Sequence, residues 1–144
     1  MIRDIERILI SRGAISDRVR ELGEAITKNL YEADTEQEIA LVAVMTGSII
    51  FVADLMRHLP MKIRIQLMTA TSYIGKSTVT NSDPLVGKLP DVKNRHVLLV
   101  DDILDSGKTL TRIRAELESL EPASIQSCVL LRKKLPSAMA VPCD

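Results

Sequence analysis

Nine consecutive residues, Asp101-Asp102-Ile103-Leu104-Asp105-Ser106-Gly107-Lys108-Thr109, gather three acids, two hydroxyls, a lysine and a glycine in one short stretch. They follow Val97-Leu98-Leu99-Val100, an apolar run of the kind that forms a strand buried on both faces. An ionised carboxylate cannot stay unpaired in such a strand. Asp101 and Asp102 must therefore meet water, a cation or hydroxyl groups. In Asp105 to Thr109 a permissive glycine, two hydroxyls and the free N–H groups of a new helix suit a phosphate. The stretch thus offers acids for a polyol and a cradle for an anion. Gly107-Lys108-Thr109 also ends like a Walker A loop, but Asp102 stands where that motif requires its first glycine. A P-loop hydrolase, which would split ATP independently of any base, is thereby weakened.

A second turn has related chemistry. Met45-Thr46-Gly47-Ser48 closes the apolar run Ile39–Met45 and precedes a helical stripe, so it places backbone N–H groups at a strand's C-terminal end. Gly47 lets the backbone approach a ligand, and Thr46 and Ser48 can add hydroxyl donors. A plain strand-to-helix turn without a ligand has the same composition. Arg132-Lys133-Lys134 stands at the end of a third apolar run, Ser124 to Leu131, where the bland reading is a solvated basic strand end.

The elements that must position these groups follow from periodicity. Val19, Leu22, Ile26 and Leu30 share a helical face, predicting an amphipathic helix over about 16–30 with Ser16 before its first turn. Tyr31 to Glu38 is read as a loop. Ile49, Val52, Ala53, Met56 and Leu59 predict a second helix, stopped by Pro60. Lys62 to Met68 alternates polar and apolar, as a half-covered or edge strand does. The stretch of about 70–90 is rich in Thr, Ser and Gly without helical period, and a loop this long is usually functional or mobile. Leu110, Ile113, Leu117 and Leu120 give a third helix, ended by Pro122. Strands alternating with helices through right-handed crossovers make a parallel sheet, whose C-terminal edge is where open α/β sheets bind ligands.

The 144 residues suffice for one domain with a real core, and none of the segments suggests a second. Apolar residues make up 46% and aromatics 2%, so nucleobase-stacking platforms are scarce. Nineteen basic residues balance nineteen acidic ones without long runs, which argues against nucleic-acid or membrane surfaces and for a small-molecule partner. Cys128 and Cys143 make neither a disulfide framework nor a metal site, and Cys128 reads as a buried thiol. His58 and His96 lack zinc-ligand spacing. The charged start Met1 to Arg7 and the short apolar runs point to a cytoplasmic protein.

Met45 to Ser48, Ser72-Tyr73, Val97 to Thr109 and Leu130 to Pro136 together resemble the hypoxanthine-guanine phosphoribosyltransferases, a branch of the type I phosphoribosyltransferases, in order from about Ile8 onward. The resemblance implies an α/β fold of three layers, a central, mainly parallel sheet flanked by helices, with a flexible active-site loop beginning at Ser72-Tyr73 that keeps water from the reacting centre. It implies that Asp101 and Asp102 bind the ribose hydroxyls and help hold Mg2+, and that Asp105 is the catalytic acid or base beside purine N7. Ser106, Gly107, Lys108 and Thr109 would hold the 5′-phosphate, Met45, Thr46, Gly47 and Ser48 the pyrophosphate, and Lys133 the 6-oxo group of the base. The implied activity is purine salvage: Mg-dependent transfer of a phosphoribosyl group from phosphoribosyl pyrophosphate to hypoxanthine or guanine, by a homodimer or homotetramer. Two departures bear on this. Thr46 stands where the branch usually has lysine, and the family continues past the position of Asp144 with a segment that stacks on the purine and adds an acid near magnesium. Residues 1–144 alone are therefore expected to bind purine weakly and turn over poorly. The alternative function is a non-catalytic nucleotide-binding regulator on the same fold, which has no need of Asp105.

Overall fold

The computed structural model describes residues 7–32, 38–69 and 89–143. Its elements are α1 (Arg12–Glu32), β1 (Ile39–Met45), α2 (Ile49–Met56), β2 (Ile63–Thr69), β3 (His96–Leu104), α3 (Lys108–Glu118), β4 (Ser124–Arg132) and the short α4 (Pro136–Met139). The four strands form one sheet in the order β2-β1-β3-β4, every neighbouring pair parallel. The two apolar runs, β1 and the first half of β3, are the central strands. The alternating run, β2, lies at an edge, with Ile65 and Leu67 exposed.

Strand alternation divides the core into two layers. Ile39, Leu41, Ala43, Leu98 and Val100 pack with α1 and α2 through Val19, Leu22, Ile26, Phe51, Val52 and Leu55. Ala40, Val42, Val44, Val97 and Leu99 face the other way, against Leu110, Ile113 and Leu117 of α3 and Ala138 of α4. Cys128 is buried in the first layer, and burial pushes its thiol up to about 12, so it stays protonated and inert.

At the sheet's N-terminal edge the strand starts are tied by charge. Glu38 accepts from Arg64 (2.8 Å) and Arg95 (3.4 Å), and Asp91 pairs with the same two arginines at 3.3 and 3.4 Å. The Gln66 amide accepts from the Asp91 N–H at 2.6 Å and donates to the Asp91 carbonyl at 2.9 Å, fixing the chain's approach to β3.

Element boundaries differ from the sequence reading in instructive ways. Helix α1 begins at Arg12, four residues before the predicted start, and Ser11 rather than Ser16 caps it, its Oγ accepting from the Ala14 N–H at 3.1 Å. Helix α2 ends at Met56, although Leu59 remains buried. Helix α3 ends at Glu118 rather than Leu120, with Glu121 in the left-handed region (φ 57°) before Pro122. Strand β3 does not stop at the acids but runs through them to Leu104.

Candidate active site

Three strand-to-helix connections meet at the C-terminal edge of the sheet. Because β3 continues through Asp101 and Asp102, the two carboxylates stand beside each other close to the strand's C-terminal end. Each accepts from the next residue's N–H: Asp102 N–H to Asp101 Oδ1 at 3.0 Å, Ile103 N–H to Asp102 Oδ1 at 2.8 Å. Both residues are half-buried. Burial, with the neighbouring Asp102 charge adding to it, raises Asp101 to about 6, against a lowering contribution from the Asp102 N–H. A bound cation or a ribose hydroxyl would relieve that burial penalty.

The turn after β1 lies directly against this pair. A Cβ on Gly47 would sit 2.5 Å from Asp102 Oδ2, so only a residue without a side chain lets the turn approach the carboxylate. The Met45–Thr46 peptide is cis. The Gly47 and Ser48 N–H groups have no acceptor among the described residues. The expectation for Ser48 needs correction, since its fully buried hydroxyl donates to the Val44 carbonyl at 2.6 Å and is used inside the fold. What Ser48 can offer an anion is its backbone N–H, while Thr46 is exposed.

The loop after β3 is built as its composition suggests. Gly107 takes φ 80°, a conformation that side chains disfavour, and opens α3 at Lys108. Ser106, Lys108 and Thr109 are exposed, and their side chains have no partner among the described residues. The first N–H groups of α3 and these hydroxyls therefore surround a space suited to a phosphate.

Across from that loop, the Lys133 N–H donates to the Leu104 carbonyl at 3.0 Å, extending the β3–β4 ladder by one bond. This places Lys133 Nζ 2.9 Å from Asp105 Oδ1, both side chains remaining more than half exposed at 55% and 60%. The three basic residues do not act as one cluster. Arg132 turns back to donate to the Val141 carbonyl at 3.3 Å, Lys133 meets Asp105, and Lys134 stays exposed. Ser72 and Tyr73, the expected start of the active-site loop, lie outside the described residues.

Parallel strands, an acid pair inside the third strand, and glycine-containing turns into helices after the first and third are the features of one enzyme class. The chain belongs to the phosphoribosyltransferase family, whose domain model, described as phosphoribosyl transferase domain, matches residues 11–138. Within it the chain is similar to the hypoxanthine phosphoribosyltransferase of Haemophilus influenzae, 37% identical over 139 residues, covering 95% of this chain and 76% of that protein. It is also similar to the hypoxanthine-guanine phosphoribosyltransferase of Mycobacterium avium, 38% identical over 136 residues, 90% of this chain and 66% of that one. A solved hypoxanthine-guanine-xanthine phosphoribosyltransferase superposes with a TM-score of 0.76 at 31% identity, covering 99% of this chain and 77% of that one. The fold implied by the motifs is the fold observed.

Proposed function

We propose that this protein is a purine-salvage enzyme that transfers the 5-phosphoribosyl group of phosphoribosyl pyrophosphate to hypoxanthine or guanine, giving IMP or GMP and pyrophosphate. The observation that supports this most is the Lys133–Asp105 pair at 2.9 Å beside the phosphate loop. An ammonium and a carboxylate so placed match the two polar edges of a 6-oxopurine. Lys133 would donate to the 6-oxo group while Asp105 exchanges the proton at N7. The C1–oxygen bond to pyrophosphate breaks as the bond from C1 to the purine nitrogen forms.

The rest of the site orients the phosphoribosyl donor. Ser106 to Thr109 and the α3 N–H groups would hold the 5′-phosphate, and the acid pair the ribose hydroxyls. The Gly47 and Ser48 N–H groups, with Met45 and Thr46 shaping the turn, would receive the departing pyrophosphate. Among the described residues no group of three or more His, Cys, Asp or Glu could hold a metal by itself. Asp101 and Asp102 fit instead a magnesium shared with substrate phosphate oxygens. That ion would neutralise charge on the leaving pyrophosphate. Residues 1–144 are read as one such domain, acting as a homodimer or homotetramer. No helix among the described residues is long and apolar enough to cross a membrane. Donor and product are highly charged and do not cross bilayers unaided, which favours the cytoplasm as the place of reaction.

A nucleotide-binding regulator on the same fold is the second reading, favoured by Thr46, which leaves the pyrophosphate turn without a basic side chain. The deciding experiment supplies magnesium, phosphoribosyl pyrophosphate and hypoxanthine or guanine, with an Asp105→Asn variant alongside. Nucleotide that requires both substrates and falls at least tenfold in the variant supports the transferase. Donor binding without product supports the regulator, and no donor binding rejects both.

A further inference from the structure

Gly107, the glycine of the phosphate loop, is buried although the residues on either side of it are exposed. What covers it comes from the far end of the chain. A Cβ built on Gly107 would collide with Val141 Cγ2, and the next nearest atoms are Val141 Cβ at 3.4 Å and the Ser137 carbonyl oxygen at 3.7 Å. Val141 thus fills the space that a side chain at 107 would occupy. It packs with the α3-side core, where Ala138 of α4 is fully buried.

Val141 is not held from every side. Behind it, between α3 and β4, lies a partly open cavity of about 230 Å3, lined among others by Leu110, Thr111, Arg114 and Ser127. Packing from that direction is incomplete. The Val141 backbone is instead tied to the sheet, since Arg132 Nη2 donates to its carbonyl at 3.3 Å. Arg132 is the last residue of β4 and pairs in register with Leu104, the last of β3. The strap therefore springs from the same strand end that carries Lys133 and returns beneath the loop that follows Asp105.

We infer that Val141 is a positioning residue for the 5′-phosphate subsite, a wedge that sets the height of Gly107 and with it the direction of the loop's N–H groups, and that Arg132 holds this wedge in place. The inference rests on the phosphoribosyl-transfer reading of the site. The Gly107 carbonyl is tied into α3 by the Thr111 N–H at 2.9 Å, while the side toward the strap is packed by the Val141 methyl. Shortening that side chain lets the glycine settle, and misplacement by about 1 Å costs up to 10²-fold where geometry matters. The pyrophosphate turn at Gly47 touches neither Val141 nor Arg132 among the described contacts, so its ligand should be insensitive.

The test is calorimetric titration of IMP and, separately, of magnesium pyrophosphate into wild type, V141A, V141I and R132M. The expected result is about tenfold weaker IMP binding in V141A and R132M, unchanged pyrophosphate binding, and V141I close to wild type. Equal IMP affinity in V141A and wild type overturns the inference alone, as does a parallel loss of both ligands, which would mean general loosening. Wild type that binds neither ligand overturns the functional reading and this inference with it.

Discussion

Asp101 sits among surroundings that oppose its own charge. Its carboxyl rises from an ordinary value near 3.8 to about 6, chiefly through burial. The folded state therefore holds this proton more tightly than the unfolded chain, and as pH rises from about 4 to about 6 the fold loses the associated stability. Thermal melts across that range should show wild type losing stability relative to Asp101→Asn, with the variant more stable at pH 7 and impaired in binding the phosphoribosyl donor. Gly47 makes a different kind of prediction. Alanine there would push the half-exposed Asp102 carboxylate out of its place. Gly47→Ala should therefore raise the KM for the donor while changing stability by no more than about 0.5 kcal/mol, measured by steady-state kinetics and denaturation. The need for glycine at 47 is legible in the sequence as a turn, but its reason, the acid of a distant strand, is visible only when β1 and β3 are side by side. Ser48 shows the reverse: its type advertised a ligand donor, and the fold turned its hydroxyl inward.

The elements were mostly written in apolar periodicity. Both central strands and the buried face of α3 follow from it, but α2 turns a different face inward than its stripe suggested, burying Phe51, Val52 and Leu55 and leaving Ile49 and Ala53 exposed. Boundaries escaped where no core contact marks them. The first turns of α1, Arg12 to Asp17, are largely exposed, and only Ile15, four residues before Val19, carries the stripe into them, with the Ser11 cap marking the start. Strand β3 ran past its acids because backbone pairing to β4 continues at Asp101 and Ile103 whatever the side chains prefer. Leu117 of α3 is wholly buried against the sheet. Leu117→Ala should cost about 2–5 kcal/mol in chemical denaturation. A much smaller loss would show that α3 can settle onto the sheet without it. The Lys133–Asp105 pair is an element-level fact as well, made by one ladder bond beyond β4, and sequence alone reached it only through family resemblance.

At the scale of the molecule, charge and topology are segregated. The C-terminal edge of the sheet holds the ligand groups, and the N-terminal edge holds the closed ring of Glu38, Arg64, Asp91 and Arg95. These side chains are between 29% and 60% exposed, so each pair contributes at most about 1 kcal/mol. Glu38→Gln should lower stability by roughly that amount at low ionic strength and by less at 1 M salt, with nucleotide binding untouched. The strand order has a further consequence, in time rather than space. Strand β1 is central, yet one of its flanks belongs to β3, with Ala40 partnered by Val97. On a ribosome adding about 5–20 residues per second, β1 and β2 emerge seconds before that partner exists. Through those seconds the most apolar strand of the protein has an open hydrogen-bonding edge, so the nascent chain is most prone to aggregate before the acid pair and phosphate loop of its site have been synthesised.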